Sequence, residues 1–180
     1  MSRVFVLCTG RCGSVTFAKA CGHVTNYSVG HETIGLRHGL DYPDNHIEAN
    51  NRLIFYLGLL RSKFPAARYV HLVRDEQATA RSYAARSLDK PWRLPAMWRY
   101  GVRMGWYVNQ GKDVERSIEQ DCREMVAAMN SLIELGLSDL PALRVRIEEP
   151  TDFRRFWEWA GCVGDAHAAL ETFRQKHNAT

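Results

Sequence analysis

Apolar residues in this chain form two patterns, short unbroken runs and stretches where they recur every three or four positions, and the two alternate. The run at 4–8 has no polar break, the signature of a strand covered on both faces. Residues 14–22 then read as a helix ending near Gly22, and 27–30 as a second strand. The stretch 35–45 is rich in Gly, Asp, His and Pro and reads as loop. Across 47–64, Leu53, Leu57, Leu60 and Phe64 keep helical spacing with Pro65 just beyond, so the whole stretch is predicted helical. A third strand is expected at 69–73, followed by a helix over 76–87.

Residues 91–110 are aromatic and basic with little periodicity. A long helix is predicted from Asp113, with Val114, Ile118, Cys122, Met125, Met129, Leu132 and Ile133 on one side and Gly136 as its stop. A fourth strand at 143–147 precedes a helix over 150–160, opened by Pro150 and ended by Gly161. Asp165 caps a terminal helix reaching about Lys176. Strands alternating with helices predict the α/β class with a mainly parallel sheet. Without repeat, linker or composition break, residues 1–180 read as a single domain.

Composition narrows the function. With 180 residues and 46% hydrophobic content, the chain can bury a proper core. A formal charge of +4 suits an anionic ligand, but no lysine-rich stripe or aromatic-basic repeat points to nucleic acid. No apolar run approaches a membrane span, and a strand so close to Met1 leaves no room for a signal peptide. A cytoplasmic protein is therefore expected. Cys8, Cys12, Cys21, Cys122 and Cys162 are odd in number and scattered, which suggests reduced thiols; their spacing matches no common zinc pattern, and no metal is expected.

The candidate chemistry begins at Thr9-Gly10-Arg11-Cys12-Gly13-Ser14, between the first strand and its helix. Anions bind at such a helix N-terminus, where glycines let the backbone approach and free amides point outward. Amides from Arg11 to Thr16 and the Ser14 and Thr16 hydroxyls are the donors, with Arg11 adding charge. The bland reading is a tight strand-to-helix turn. A nucleotide-triphosphate loop would need GxxxxGK(S/T), and its Lys is absent, which disfavours ATP or GTP hydrolysis. A cysteine phosphatase would need Arg six positions after Cys; those positions hold Ser14 and Ala18. A second anchor repeats the design. Arg74 stands at the exit of the third strand and Ser82 in the following helix, a charged fork and a neutral donor suited to one phosphate.

Together these motifs resemble the sulfotransferases that use 3′-phosphoadenosine-5′-phosphosulfate (PAPS). Arg11-Cys12-Gly13-Ser14 is similar to that family's 5′-phosphosulfate loop, (K/R)-(S/T)-G-(S/T), with Cys12 replacing a hydroxyl residue. Arg74 to Ser82 matches its R-x7-S motif for the 3′-phosphate, and 145–161 resembles its late strand, acidic pair and aromatic-rich helix. The resemblance spans about a third of the chain. It implies a three-layer, P-loop-like sandwich with a mainly parallel central sheet flanked by helices. It also implies PAPS as co-substrate, no metal, and a small-molecule, sugar or lipid hydroxyl as acceptor. By carry-over Arg11, Cys12, Gly13, Ser14, Val15 and Thr16 hold the 5′ end, while Arg74 and Ser82 hold the 3′-phosphate. Thr16 stands where many members place an adenine-stacking Trp, leaving Phe17 as a guess for the base.

Arg11 is then a catalytic candidate, since it would stabilise charge on the leaving phosphate. The base candidates lie in Gly30-His31-Glu32, with Glu32 first and His31 second. Against this, Glu32 could pair with a surface Arg and His31 could be structural. His71 reads as core, Arg86 as a minor candidate to reach the nucleotide, and Glu148-Glu149 as a helix cap or a partner for Arg144. His38, Tyr42, Asp44, His46 and the aromatics of 92–107 are candidates for an acceptor pocket. Two rivals remain open: a degenerate P-loop kinase, which would depend on Mg²⁺, and a nucleotide-binding module without catalysis.

Overall fold

The computed structural model describes residues 2–33, 39–88 and 118–175. In chain order these form β1 (Arg3–Cys8), α1 (Ser14–Cys21), β2 (Ser28–His31), β3 (His46–Ala49), a 3-10 turn (Leu53–Tyr56), α2 (Leu57–Lys63) and β4 (Arg68–Val73). They continue with α3 (Glu76–Leu88), α4 (Ile118–Leu137), β5 (Ala142–Arg146), α5 (Pro150–Ala160) and α6 (Ala166–Arg174). The strands form one sheet in the order β2-β3-β1-β4-β5, every neighbouring pair parallel. The α/β class with a parallel sheet follows, flanked by helices on both faces.

Burial explains the apolar runs. From Val4 to Cys8 every β1 side chain is inaccessible, because alternate residues enter two different cores. Val4, Val6 and Cys8 join Ile47, Ala49, Val70, Leu72 and Val145 against Phe17 of α1, Phe153 and Phe156 of α5 and Phe173 of α6. Phe5, Leu7 and Tyr69 point the other way, against Leu53, Leu57, Leu60 and Phe64, and against Ile133 and Leu137 near the end of α4.

The chain divides into two compact units, Met1–Arg74 with Met129–Thr180, and Asp75–Ala128. The sheet and its two cores belong to the first. The second contains α3, whose start is capped by the Asp75 carboxylate accepting from the Ala78 amide at 2.7 Å, and the opening turns of α4. The predicted start of the long helix at Asp113 and the segment 91–110 lie outside the described residues, as do Arg86's side chain, His38 and Lys176.

Three expectations are corrected. The stretch 47–64 is not one helix: His46–Ala49 is a strand between β2 and β1, followed by the 3-10 turn and α2. Its helical spacing is real only from Leu53 onward. The strand was obscured by Glu48, a charged residue in a fully buried β position. Gly136 does not stop α4, which runs to Leu137; a Cβ there would lie 2.6 Å from Leu57 Cδ2, so the glycine serves the close approach of α2. Glu149 occupies the cap position of α5 without a side-chain cap bond, and Arg144 pairs with Glu134 at 3.0 Å instead. Asp165 does cap α6, accepting from the Ala168 amide at 2.9 Å.

Candidate active site

The carboxyl ends of β1 and β4 lie side by side, with Cys8 opposite Leu72. From β1 the chain goes on to β2 on one side of the sheet, and from β4 to β5 on the other, so the strand order reverses here, where ligands of open parallel sheets bind. The loop after β1 fills that place. Gly10, Arg11 and Gly13 all have positive φ (80°, 55° and 93°), so the backbone curls tightly before the Phe17 amide bonds Gly13 O at 3.0 Å and opens α1. Gly13 is required twice over. Its φ favours glycine, and a Cβ would stand 2.5 Å from Ile147 Cγ1, just beyond β5.

Arg74, at the exit of β4, donates from Nη1 to the Arg11 carbonyl at 3.1 Å. The charged residue of the second anchor thus braces the backbone of the first. Ser14, the first residue of α1, is nearly buried, and its Oγ lies 3.0 Å from His31 Nε2 at the end of β2. Glu32 follows with its own positive φ, 53°, and an exposed side chain. Thr16 is buried and Val15 half-buried on the first turn of α1, and Arg11 is half-buried.

Cys12 turns inward rather than outward. Its hydrogen bond with Cys8 lowers its thiol pKa, burial opposes this, and the amides of Gly10, Cys12 and Ser14 lower it further. Cys8 moves the opposite way, raised by that same bond and by burial. Of the two thiols, Cys12 therefore loses its proton more readily than Cys8.

Gly30 of β2 faces Glu48 of β3, whose carboxylate is wholly buried. Oε1 accepts from the Thr33 amide at 2.9 Å, while Oε2 accepts from Thr33 Oγ1 at 2.6 Å and from His46 Nε2 at 3.2 Å. Burial alone would raise this carboxyl; the bonds from His46 and Thr33 outweigh it and hold the pKa below the ordinary value. The sequence pattern did not single out Glu48, Thr33 or Ile147, because each acts through a contact between strands distant in sequence.

The structure thus gathers Arg11, Cys12, Gly13, Ser14, His31, Glu32 and Arg74 at one end of the sheet. Ser82 lies half-buried in α3, in the Asp75–Ala128 unit. Four other candidates are corrected. Phe17 is fully buried among Phe153, Phe156 and Phe173 and has no face to offer a base. Tyr42 is buried beside Phe5 and stacks on His46. His46 and Asp44 stand at the opposite end of the sheet, His46 opening β3 opposite Arg3, and Asp44 paired with Arg3 at 2.5 Å. Among the described residues, no group of three or more His, Cys, Asp or Glu is placed to hold a metal ion, and no helix is long and apolar enough to cross a membrane.

No protein-family profile and no curated protein sequence matches the chain. Solved structures do. Mouse sulfotransferase SULT7A1, complexed with PAP, superposes with a TM-score of 0.61 at 16% identity, over 99% of this chain and 68% of that one. A sulfotransferase from Alicyclobacillus acidocaldarius superposes with a TM-score of 0.59 at 11% identity, over 92% of this chain and 83% of that one. The chain has the sulfotransferase fold. Within that fold, Arg11–Ser14 follows β1 and Arg74 follows β4, adjacent strands of the sheet.

Proposed function

We propose that the protein is a sulfotransferase that moves a sulfuryl group from PAPS to a hydroxyl of a small-molecule, carbohydrate or lipid acceptor. The observation that carries this reading is that the loop curled at Gly10, Arg11 and Gly13 is bonded at Arg11 O by the Arg74 guanidinium and, at Ser14 of α1, meets His31. The loop fits the 5′ end of such a donor. Positive φ at three positions curls the backbone ahead of α1, whose start adds partial positive charge. Arg74 is proposed to reach the 3′-phosphate with Ser82, as their spacing suggests.

In the proposed transfer the acceptor oxygen bonds to sulfur and the bond from sulfur to the 5′-phosphate oxygen breaks. The electron pair goes to that phosphate oxygen, and the acceptor proton goes to a base. The loop amides and Arg11 would stabilise the charge gathering on the leaving phosphate, so no metal clamp is required. For the base, the Ser14 contact favours His31, which is held at the loop; Glu32 is its exposed neighbour. The five free cysteines suit a reducing compartment such as the cytoplasm.

Calorimetric titration with adenosine 3′,5′-bisphosphate, without Mg²⁺, tests the reading. Wild type should bind in the micromolar range. Arg74→Ala should weaken binding by roughly tenfold to a hundredfold, the worth of a charge-assisted hydrogen bond. A wild type that ignores this nucleotide and binds ATP with Mg²⁺ instead overturns the proposal in favour of a kinase. Tight binding without turnover across a broad acceptor panel would make it a nucleotide-binding module.

A further inference from the structure

Beside the His31 end of β2 lies a carboxylate closed off from solvent, that of Glu48. Along β2 and β3, Gly30 lies opposite Glu48 and His31 opposite Ala49. Side chains alternate along strands, so the Glu48 carboxylate and the His31 imidazole project from opposite faces of the sheet. Gly30 makes room for the carboxylate: a Cβ there would stand 2.2 Å from Glu48 Oε2. Just past His31 the chain enters the left-handed region at Glu32, a conformation that non-glycine residues hold only when neighbouring contacts enforce it. Those contacts are visible. The Glu32 amide bonds Ala49 O at 3.1 Å, and Thr33 directs both its amide and its hydroxyl onto the buried carboxylate.

We infer that Glu48 is a positioning residue: acting through Thr33, its buried carboxylate clamps the turn at Glu32 and so presents the His31 imidazole to Ser14. The clamp has its own support. His46 donates from Nε2 to Glu48, its Nδ1 lies 2.8 Å from Ser28 Oγ, and Tyr42 stacks on its ring. Asn50 Nδ2 adds a long contact to Oε1 at 3.4 Å. The carboxylate is thus bonded by His46 and Asn50 as well as by Thr33. Its part in sulfuryl transfer rests on the function proposed above; its hold on His31 does not.

The test reads His31 directly. Ring ¹⁵N signals of the seven histidines are recorded in the full chain, with His31→Gln identifying the His31 pair. Ser14→Ala should displace the His31 signals in the wild-type background. That displacement should fall by at least half when Ser14→Ala is combined with Glu48→Gln, and likewise with Thr33→Val, which removes only the hydroxyl bond. Should Glu48→Gln fail to fold, Thr33→Val decides alone. The inference is overturned if Ser14→Ala leaves His31 unmoved in the wild-type background, or if its full displacement survives in Thr33→Val or in folded Glu48→Gln. In parallel, Glu48→Gln should bind adenosine 3′,5′-bisphosphate within twofold of wild type while kcat for transfer falls at least tenfold. Equal turnover would overturn the role in transfer. A wild type that binds no nucleotide would overturn the sulfotransferase reading, with the His31 signals still deciding the clamp.

Discussion

Gly13 and Phe17 show how differently two neighbouring positions in one motif can be used. Gly13 is backbone made to bend: a side chain there meets both an unfavourable φ and the Ile147 branch. Gly13→Ala should lower unfolding free energy by about 2 kcal/mol, from the left-handed backbone and overpacking together, and should weaken nucleotide binding as well. Denaturant melts beside calorimetry check both; unchanged stability would show that the loop relaxes freely. Phe17, four residues on, sits edge-on to Phe153 and within 4.8 Å of the Phe156 ring centre. Phe17→Ala should cost about 3–5 kcal/mol of stability, the range for a buried aromatic. A loss confined to nucleotide affinity, with stability intact, would put Phe17 back at the base. Motif position alone could not separate the two, since a helix residue's face is set by what packs on it.

Secondary elements were legible where their pattern was simple and lost where chemistry interrupted it. The runs of β1 and β4 are continuous because both faces are covered, and Pro150 and Asp165 mark helix starts by local sterics and hydrogen bonding. His71 was legible as core: it is buried on β4, with Nε2 3.2 Å from Asn130 Oδ1 and Glu134 and Arg144 nearby. Burial lowers its pKa from the ordinary 6.5, the Asn130 bond only partly opposing, so the folded protein disfavours the charged ring. Its contribution to stability is complete above that ordinary value and is lost as pH falls through the lower folded value. Urea titrations from about pH 8 to about pH 5 should show this loss in wild type and a flatter profile in His71→Phe. Identical slopes would sink the assignment. By contrast β3 was hidden, because Glu48 breaks its apolar pattern and only partners on other segments make a buried carboxylate tolerable there.

In the whole molecule, one buried carboxylate should leave a signature in acid stability. The Glu48 pKa lies below its ordinary 4.5, so its stabilisation is present above that value and disappears as pH falls through the folded one. The stability gap between wild type and Glu48→Gln should therefore shrink as pH falls from about 5 to about 3, followed by circular dichroism; a constant gap would mean the charge carries none of it. The sequence by itself determined the α/β class and the absence of a phosphate-loop lysine, because these rest on local periodicity and on residues adjacent in the chain. Only the tertiary structure decided that β3 separates β2 from β1, that Arg74 braces Arg11, and that His31 meets Ser14. It likewise took Tyr42, Asp44 and His46 away from the site, to the far end of the sheet or into its core. Strand order is chosen by how separate apolar faces share two cores, and nothing within a single window of sequence records which strand a carboxylate or an imidazole will find beside it.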